Sequence, residues 1–287
     1  MKKILAVAVA TAISAPAMAD LTIGASTEYN LASEDSNTTQ SIETNITATG
    51  TATSETGLFV KAFIELEAID AGDASNALDI DDNYFQIGNA AAALTVGQFG
   101  TKRAFKEGDD SFEAANVVTN KLTAAEVFKG NSDDDAGDAE FALDITAVEG
   151  LDLQISGNYT SDTDTDSNIY AAYTFEGVTL AANMQTSEVA ADEGYAVSAT
   201  TTLGGATVSV SFADGDADNT ATGVTANMNG FDVTYVRFEN ADGESETSYY
   251  GAYNVGDLGV TGLNIDLGAG SGSDRETKMG VEVSYSF

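Results

Sequence analysis

The chain has no cysteine and no histidine, and its one proline is Pro16. Without cysteine there is no disulfide framework, so stability must come from a large hydrogen-bonded sheet or a large core. Without histidine the commonest general base is gone, and with it most hydrolase chemistry that sets a base beside a nucleophile or an activated water. Two carboxylates could act alone, but among 46 acidic residues some pair always lies close, so proximity carries little weight. The scarcity of proline suits a backbone whose N–H groups are engaged in repeated strand pairing. Positive charge is scarce as well: 11 Lys and Arg stand against 46 Asp and Glu, a net charge of −35. That argues against a nucleic-acid partner, because phosphate binding needs dense Lys and Arg. Such acidity often accompanies disorder, yet 43% of the residues are hydrophobic and they recur with a period of two. An acidic exterior fits a cell surface bathed in divalent cations or high salt, which screen the repulsion. Long apolar runs are also missing after Asp20, where a transmembrane helix would need about 20 such residues. No Pro/Ser linker divides the chain, whose length suits one large all-β unit or two ordinary domains.

What is present begins at the N-terminus. Lys2 and Lys3 precede an apolar stretch from Ile4 to Ile13, and Ala17-Met18-Ala19 offers small residues at both positions of a cleavage site. The stretch is too short to span a bilayer, so residues 1–19 read as a cleaved secretory signal, with the mature chain, 20–287, beginning at Asp20. An uncleaved anchor is the alternative.

Alternation is the strongest internal signal. Leu151, Leu153, Ile155, Gly157 and Tyr159 share one face, and Asp152, Gln154, Ser156 and Asn158 the other. The pattern recurs in Phe141-Leu143-Ile145, Ile169-Ala171-Tyr173-Phe175, Val178-Leu180-Ala182-Met184 and Tyr195-Val197-Ala199. Each segment has roughly the ten residues that cross a bilayer at a tilt. Reading the whole chain this way predicts about sixteen strands, an even number. They begin near Leu21, Gln40, Leu58, Asn83, Ala92, Ala139, Leu151, Ser167, Val178, Gly194, Ala206, Ala221, Phe231, Thr247, Val260 and Glu276. Tight turns are expected after even-numbered strands, at Glu149-Gly150, Glu176-Gly177, Gly204-Gly205 and Asn229-Gly230, where Gly and Asn tolerate positive φ. Longer polar connections are expected after odd-numbered strands, as at Ser33 to Thr39, Asp70 to Asp81, Ser161 to Asp166, Asp214 to Asn219 and Ala241 to Glu246.

A soluble β-sandwich would also alternate. Two features favour a transmembrane antiparallel β-barrel instead. The apolar positions carry many small residues, as suits a lipid-facing wall, and the short-turn/long-loop asymmetry belongs to outer-membrane barrels. Aromatic residues should form two girdles, Tyr29, Tyr159, Phe212 and Phe238 at the loop end and Phe175, Phe231, Tyr285 and Phe287 at the turn end.

The C-terminal segment Met279-Gly-Val281-Glu-Val283-Ser-Tyr285-Ser-Phe287 resembles the closing strand of Gram-negative outer-membrane proteins. Leu21-Thr-Ile23-Gly-Ala25 resembles its usual partner strand. Leu94-Thr-Val-Gly-Gln98 is similar to the segment that general porins carry in their fifth strand, with Gln98 where many relatives have Arg. The chain is therefore identified as resembling the general, trimeric, 16-stranded porins. That resemblance implies an outer-membrane diffusion channel for small hydrophilic solutes and ions, a homotrimer in contact with lipid bilayer and lipopolysaccharide, and a third loop, about residues 100–138, folded into the pore.

The same loop attracts attention through its charges. Lys102, Arg103, Lys106, Lys121 and Lys129 cluster there in a chain otherwise nearly free of positive charge, beside Glu107, Asp109, Asp110 and Glu113. Opposite charges across a narrow opening create a transverse field that orients dipolar solutes; a surface loop with internal ion pairs is the plainer reading. Lys61 and Glu65 share the polar parity of the third strand and should face the lumen, since Lys in mid-bilayer costs about 2–4 kcal/mol. Net negative charge predicts cation preference. Asp162, Asp164 and Asp166 offer hard oxygen ligands for weakly bound Ca2+ or Mg2+, but Ser167 and Tyr173 stand where an EF-hand needs Gly and Glu. No other cofactor and no enzymatic activity is expected. A structural or adhesive barrel without an open pore is the alternative function.

Overall fold

The computed structural model describes residues 19–34, 37–70, 77–105, 139–158, 167–187, 193–215, 219–256, 258–273 and 275–287. They form sixteen strands: β1 Ala19–Glu34, β2 Asn37–Thr53, β3 Phe59–Asp70, β4 Ala77–Gly88, β5 Ala92–Phe99, β6 Ala139–Ile145, β7 Leu151–Gly157 and β8 Ser167–Phe175 in the first half. The second half holds β9 Val178–Thr186, β10 Gly194–Leu203, β11 Ala206–Gly215, β12 Thr220–Met228, β13 Phe231–Glu239, β14 Ser245–Asn254, β15 Leu263–Gly272 and β16 Arg275–Ser286. Each strand pairs antiparallel with its sequence neighbours, and β1 pairs with β16, closing one barrel. Among the described residues no helix is long and apolar enough to cross a membrane, which leaves crossing by strands untouched. A closed sheet satisfies every ladder N–H and C=O internally, the condition for a strand structure in lipid.

The alternation predicted from sequence becomes an inside and an outside. Along β9 the burial pattern alternates strictly between buried Ala181, Asn183 and Gln185 and exposed Leu180, Ala182 and Met184. Outward positions around the ring carry large exposed apolar side chains such as Ile23, Leu180, Val210, Val233 and Met279, while inward positions carry Ser, Thr, Asn, Ala and acids. This inverts a soluble protein and suits hydrocarbon outside with polar lining within.

Turns follow the expected chemistry. Glu176 and Gly177 have φ of 50° and 81°, and Asn229 and Gly230 have 54° and 82°, the both-positive signature of two-residue hairpins whose twist matches the strands. Glu176 occupies a conformation usually left to Gly or Asn. The asymmetry of connections is less uniform than predicted. The Ser33–Thr39 stretch is mostly strand, because β1 and β2 run on to Glu34 and from Asn37, and on the opposite rim residues 255–262 make an eight-residue connection. β4 begins at Ala77 rather than near Asn83, with a register shift opposite Ile64/Leu66 that interrupts its alternation.

Exposed Phe175, Phe231, Tyr285 and Phe287 lie at the turn end, Tyr285 and Phe287 stacked with centroids 5.7 Å apart. At the loop end Phe212 faces out beside Tyr195, but Phe238 does not join the girdle. It shares the parity of Val236 and packs inward against the buried cluster of Phe105, Tyr170 and Val236. Tyr159 lies outside the described residues.

Candidate functional site: the barrel lumen

The inner wall has two unlike halves. On β15, β16, β1, β2 and β3 it is mainly acidic, with Lys278 of β16 and Lys61 of β3 among its inward side chains. Asp266 of β15 stands in register with Glu282 of β16, which stands against Asn30 of β1. Glu28 faces Glu43 directly across β1 and β2, and Glu65 and Glu67 follow on β3 against Thr47 and Asn45. Neutral amides satisfy several of these oxygens. Asn30 donates to Glu28 at 2.6 Å, Asn45 to Glu43 at 2.7 Å, and Asn254 and Asn264 to the two oxygens of Asp266 at 2.8 and 2.7 Å. An amide donor fills a lone pair without cancelling charge.

On β8 to β13 the wall carries many small side chains, with Asn168, Tyr170, Asn183 and Asp232 among the larger inward ones. Ala172, Ala181, Ser198, Ser211, Gly223 and Val236 form one row in register, and Ala196, Ala213 and Ala221 belong to the next. Ala196 and Ala213 are fully buried although they point into the barrel. Part of the cover comes from the chain leaving β5. There Gly97, at φ 139°, is required: any Cβ would collide with the Asn83 carbonyl oxygen. A register shift between Val96 and Phe99 follows. Residues 100–105 then cross the inner faces of β7, β8 and β9. The Lys102 N–H donates to Gln154 Oε1 at 2.8 Å, the Lys102 carbonyl accepts from Asn168 at 3.3 Å, and the Ala104 N–H donates to Asn183 Oδ1 at 3.0 Å. Asn183 in turn donates to Asn168 at 3.2 Å, so the three wall amides form a ladder under the segment.

Lys102 Nζ lies 2.7 Å from Asp152 Oδ1 and 2.9 Å from Asp144 Oδ1. Burial alone would lower its pKa, but the hydrogen bonds and charges of Asp152 and Asp144 prevail and raise it above the ordinary 10.5. Its charge is thus matched at the wall. Arg103 follows, half-buried. Lys106, Glu107, Asp109, Asp110 and Glu113 lie outside the described residues, as do Asp162, Asp164 and Asp166. Among the described residues no three acidic side chains gather closely enough to hold a metal ion. Lys61 and Glu65 both stand on the inward face of β3, and Lys61 Nζ donates to Tyr84 Oη at 2.7 Å. Gln98 points outward, with the parity of Leu94 and Val96. Arg237 also faces outward near the loop rim, paired with Glu239 at 2.8 Å.

Sequence reasoning missed the acidic row, because Glu28, Glu43, Asp266 and Glu282 become neighbours only through cross-strand register. It also missed the inward aromatics Phe63, Tyr84 and Phe99. The available signal was Phe63 itself, which shares the polar parity of Lys61 and Glu65.

Comparison with known proteins agrees with this architecture. A family described as Gram-negative porin matches residues 6–287. No curated protein matches the sequence. Among solved structures, one of an engineered protein studied for asymmetric conductivity superposes with a TM-score of 0.71 at 18% identity, covering 93% of this chain and 100% of that one. Two mutants of Rhodopseudomonas blastica porin give 0.67 at 17% and 0.65 at 15%, each with the same coverages. At such identities the structural likeness is one of fold.

Proposed function

The chain belongs to the Gram-negative porin family, and on that premise we propose that its barrel is a cation-preferring, water-filled channel of the outer membrane for passive passage of small hydrophilic solutes and ions. Sixteen strands enclose enough space for an aqueous lumen. The observation that carries the cation preference is the acidic wall, where Glu28, Glu43 and Asp266 accept hydrogen bonds from neutral amides and Glu282 stands in register with Asp266. Fixed carboxylates along a narrow path raise the local concentration of cations and lower that of anions.

The pore narrows where the chain after β5 lies on the inner wall, with Lys102, Arg103, Lys106, Glu107, Asp109, Asp110 and Glu113 lining the constriction and Lys61 and Glu65 on the wall. The start of this segment is supported by its hydrogen bonds to Gln154, Asn168 and Asn183. Cleavage after Ala19, trimeric assembly, contact with lipopolysaccharide and weak surface binding of Ca2+ or Mg2+ complete the proposal, and the chain has no catalytic role.

The test is ion conductance of the detergent-purified protein in a planar bilayer under a salt gradient. Stepwise openings with cation preference are expected, and neutralising Lys102, Arg103 and Lys106 together should increase that preference. A barrel that inserts but never conducts would instead be a structural or adhesive protein.

A further inference from the structure

Inward side chains of β3, β4 and β5 form two adjoining rows. One runs Phe63, Tyr84, Gly97, and the other Lys61, Gln86, Thr95. The rings of Phe63 and Tyr84 stack with centroids 5.0 Å apart and planes 25° apart, and Phe99 meets Tyr84 edge-on at 5.9 Å. Lys61 Nζ lies 5.4 and 5.1 Å from the Phe63 and Tyr84 ring centroids, in addition to its hydrogen bond to the phenol.

Part of this arrangement is structural. Tyr84 covers Gly97, and Phe99 is buried beside Ala142. That role does not reach Phe63 and Lys61. Phe63 is one strand removed from Gly97, and both side chains stay half-buried on the lumen side. In a chain with 46 acidic residues, Lys61 pairs with no carboxylate among the described residues; ring faces and a phenol hold it instead. A lysine placed only for charge balance would take one of the acids.

The result is an aromatic face bordered by an ammonium donor and the amide of Gln86 on the turn side, with the carboxylate of Glu65 two residues along β3 on the other. Charged solutes are poorly served: Glu65 and Glu67 oppose an anion, and Lys61 opposes a cation. A neutral ring with an apolar C–H face and hydroxyls that both donate and accept fits each element.

We propose that Phe63, Tyr84 and Lys61, with Gln86 and Glu65, form a binding subsite for neutral pyranose sugars on the lumen wall, an inference that rests on the reading of the lumen as open to solutes. Saturation-transfer NMR on the detergent-purified barrel reads sugar contact whether or not the barrel conducts. Glucose should receive saturation at its ring C–H protons, and sorbitol, which lacks a rigid ring face, much less. In a planar bilayer glucose should reduce the ion current in a graded way. Phe63→Leu should weaken glucose binding about fivefold, whereas Phe63→Tyr, which keeps the stack, should retain it. Circular dichroism checks that each variant keeps its sheet. Equal saturation of glucose and sorbitol, or stronger contact by benzoate, would overturn the sugar assignment, as would wild-type binding in folded Phe63→Leu. Glucose contact without conductance would leave the subsite standing and remove the channel reading; conductance without glucose contact would do the reverse.

Discussion

The wall from β15 round to β3 and the wall from β8 to β13 belong to one sheet and obey one alternation, yet they present different chemistry to the same lumen. The first holds the two longest strands, 16 residues in β1 and 17 in β2, with carboxylates held by asparagines. The second is made of nine- and ten-residue strands with many alanine, serine and glycine residues inward beside the amides of Asn168 and Asn183, and it receives the chain that leaves β5. The lesson is that strand pairing specifies only which side a residue faces. What the lumen does is decided by residue volume on one side and residue charge on the other.

The largest effect should come from removing the charge half of that contrast. Replacing Glu28, Glu43 and Glu282 by Gln and Asp266 by Asn keeps shape but discharges the wall, and the cation-to-anion permeability ratio, read from reversal potentials in a salt gradient, should fall toward parity. Filling the volume half should act on stability and on the seated segment instead. Ala213→Leu places a larger side chain between Ala196 and Ala221 in a fully buried site, costing about 1–3 kcal/mol and unsettling the current. Ala199→Leu, on the exposed outward face of the same wall, should cost little, the two variants being compared by thermal melting of the purified barrel.

The smallest effect concerns the tie at the edge of the small-residue wall. Lys102 is about one-third exposed, so its pairing with Asp144 and Asp152 contributes no more than about 1 kcal/mol. Its pKa is raised in the folded protein, so this contribution is complete below 10.5 and is lost as pH rises through the higher folded value. Current noise should therefore increase only in strongly alkaline solution, and Lys102→Met should abolish that pH dependence.

Much of the fold was legible because lipid outside and water inside impose period two on every strand. Leu151, Ser167, Val178, Gly194, Ala206 and Phe231 begin strands where the alternation predicts. Legibility failed where that pressure lapses. Asn37, Thr38 and Thr39 carry no apolar signal, yet they extend β2, because pairing with β1 needs only backbone groups. Around Asp81 and Asp82 the register shift breaks the parity that would have revealed the start of β4. Proximity to the rim suggests the outer girdle for Phe238, but parity with Val236 decides its side. In the lumen, Lys61 and Glu65 could be placed from one strand alone. The partners of Lys102 could not, since Asp144 and Asp152 lie on two other strands.

Closure of the ring by β1 and β16 also bears on timing. Fifteen of the sixteen pairings join strands consecutive in sequence, most of them through short connections, whereas the seam joins the two ends of the strand order. Loop-closure entropy makes that contact the slowest to find, and until it forms the sheet has two bare edges that hydrocarbon cannot satisfy. Ala25 and Phe287, which exchange two backbone hydrogen bonds at 3.1 and 2.9 Å, lie at the turn-end limit of this seam. The lifetime of the half-closed sheet, rather than the strength of any wall, then sets how long the folding chain needs protection.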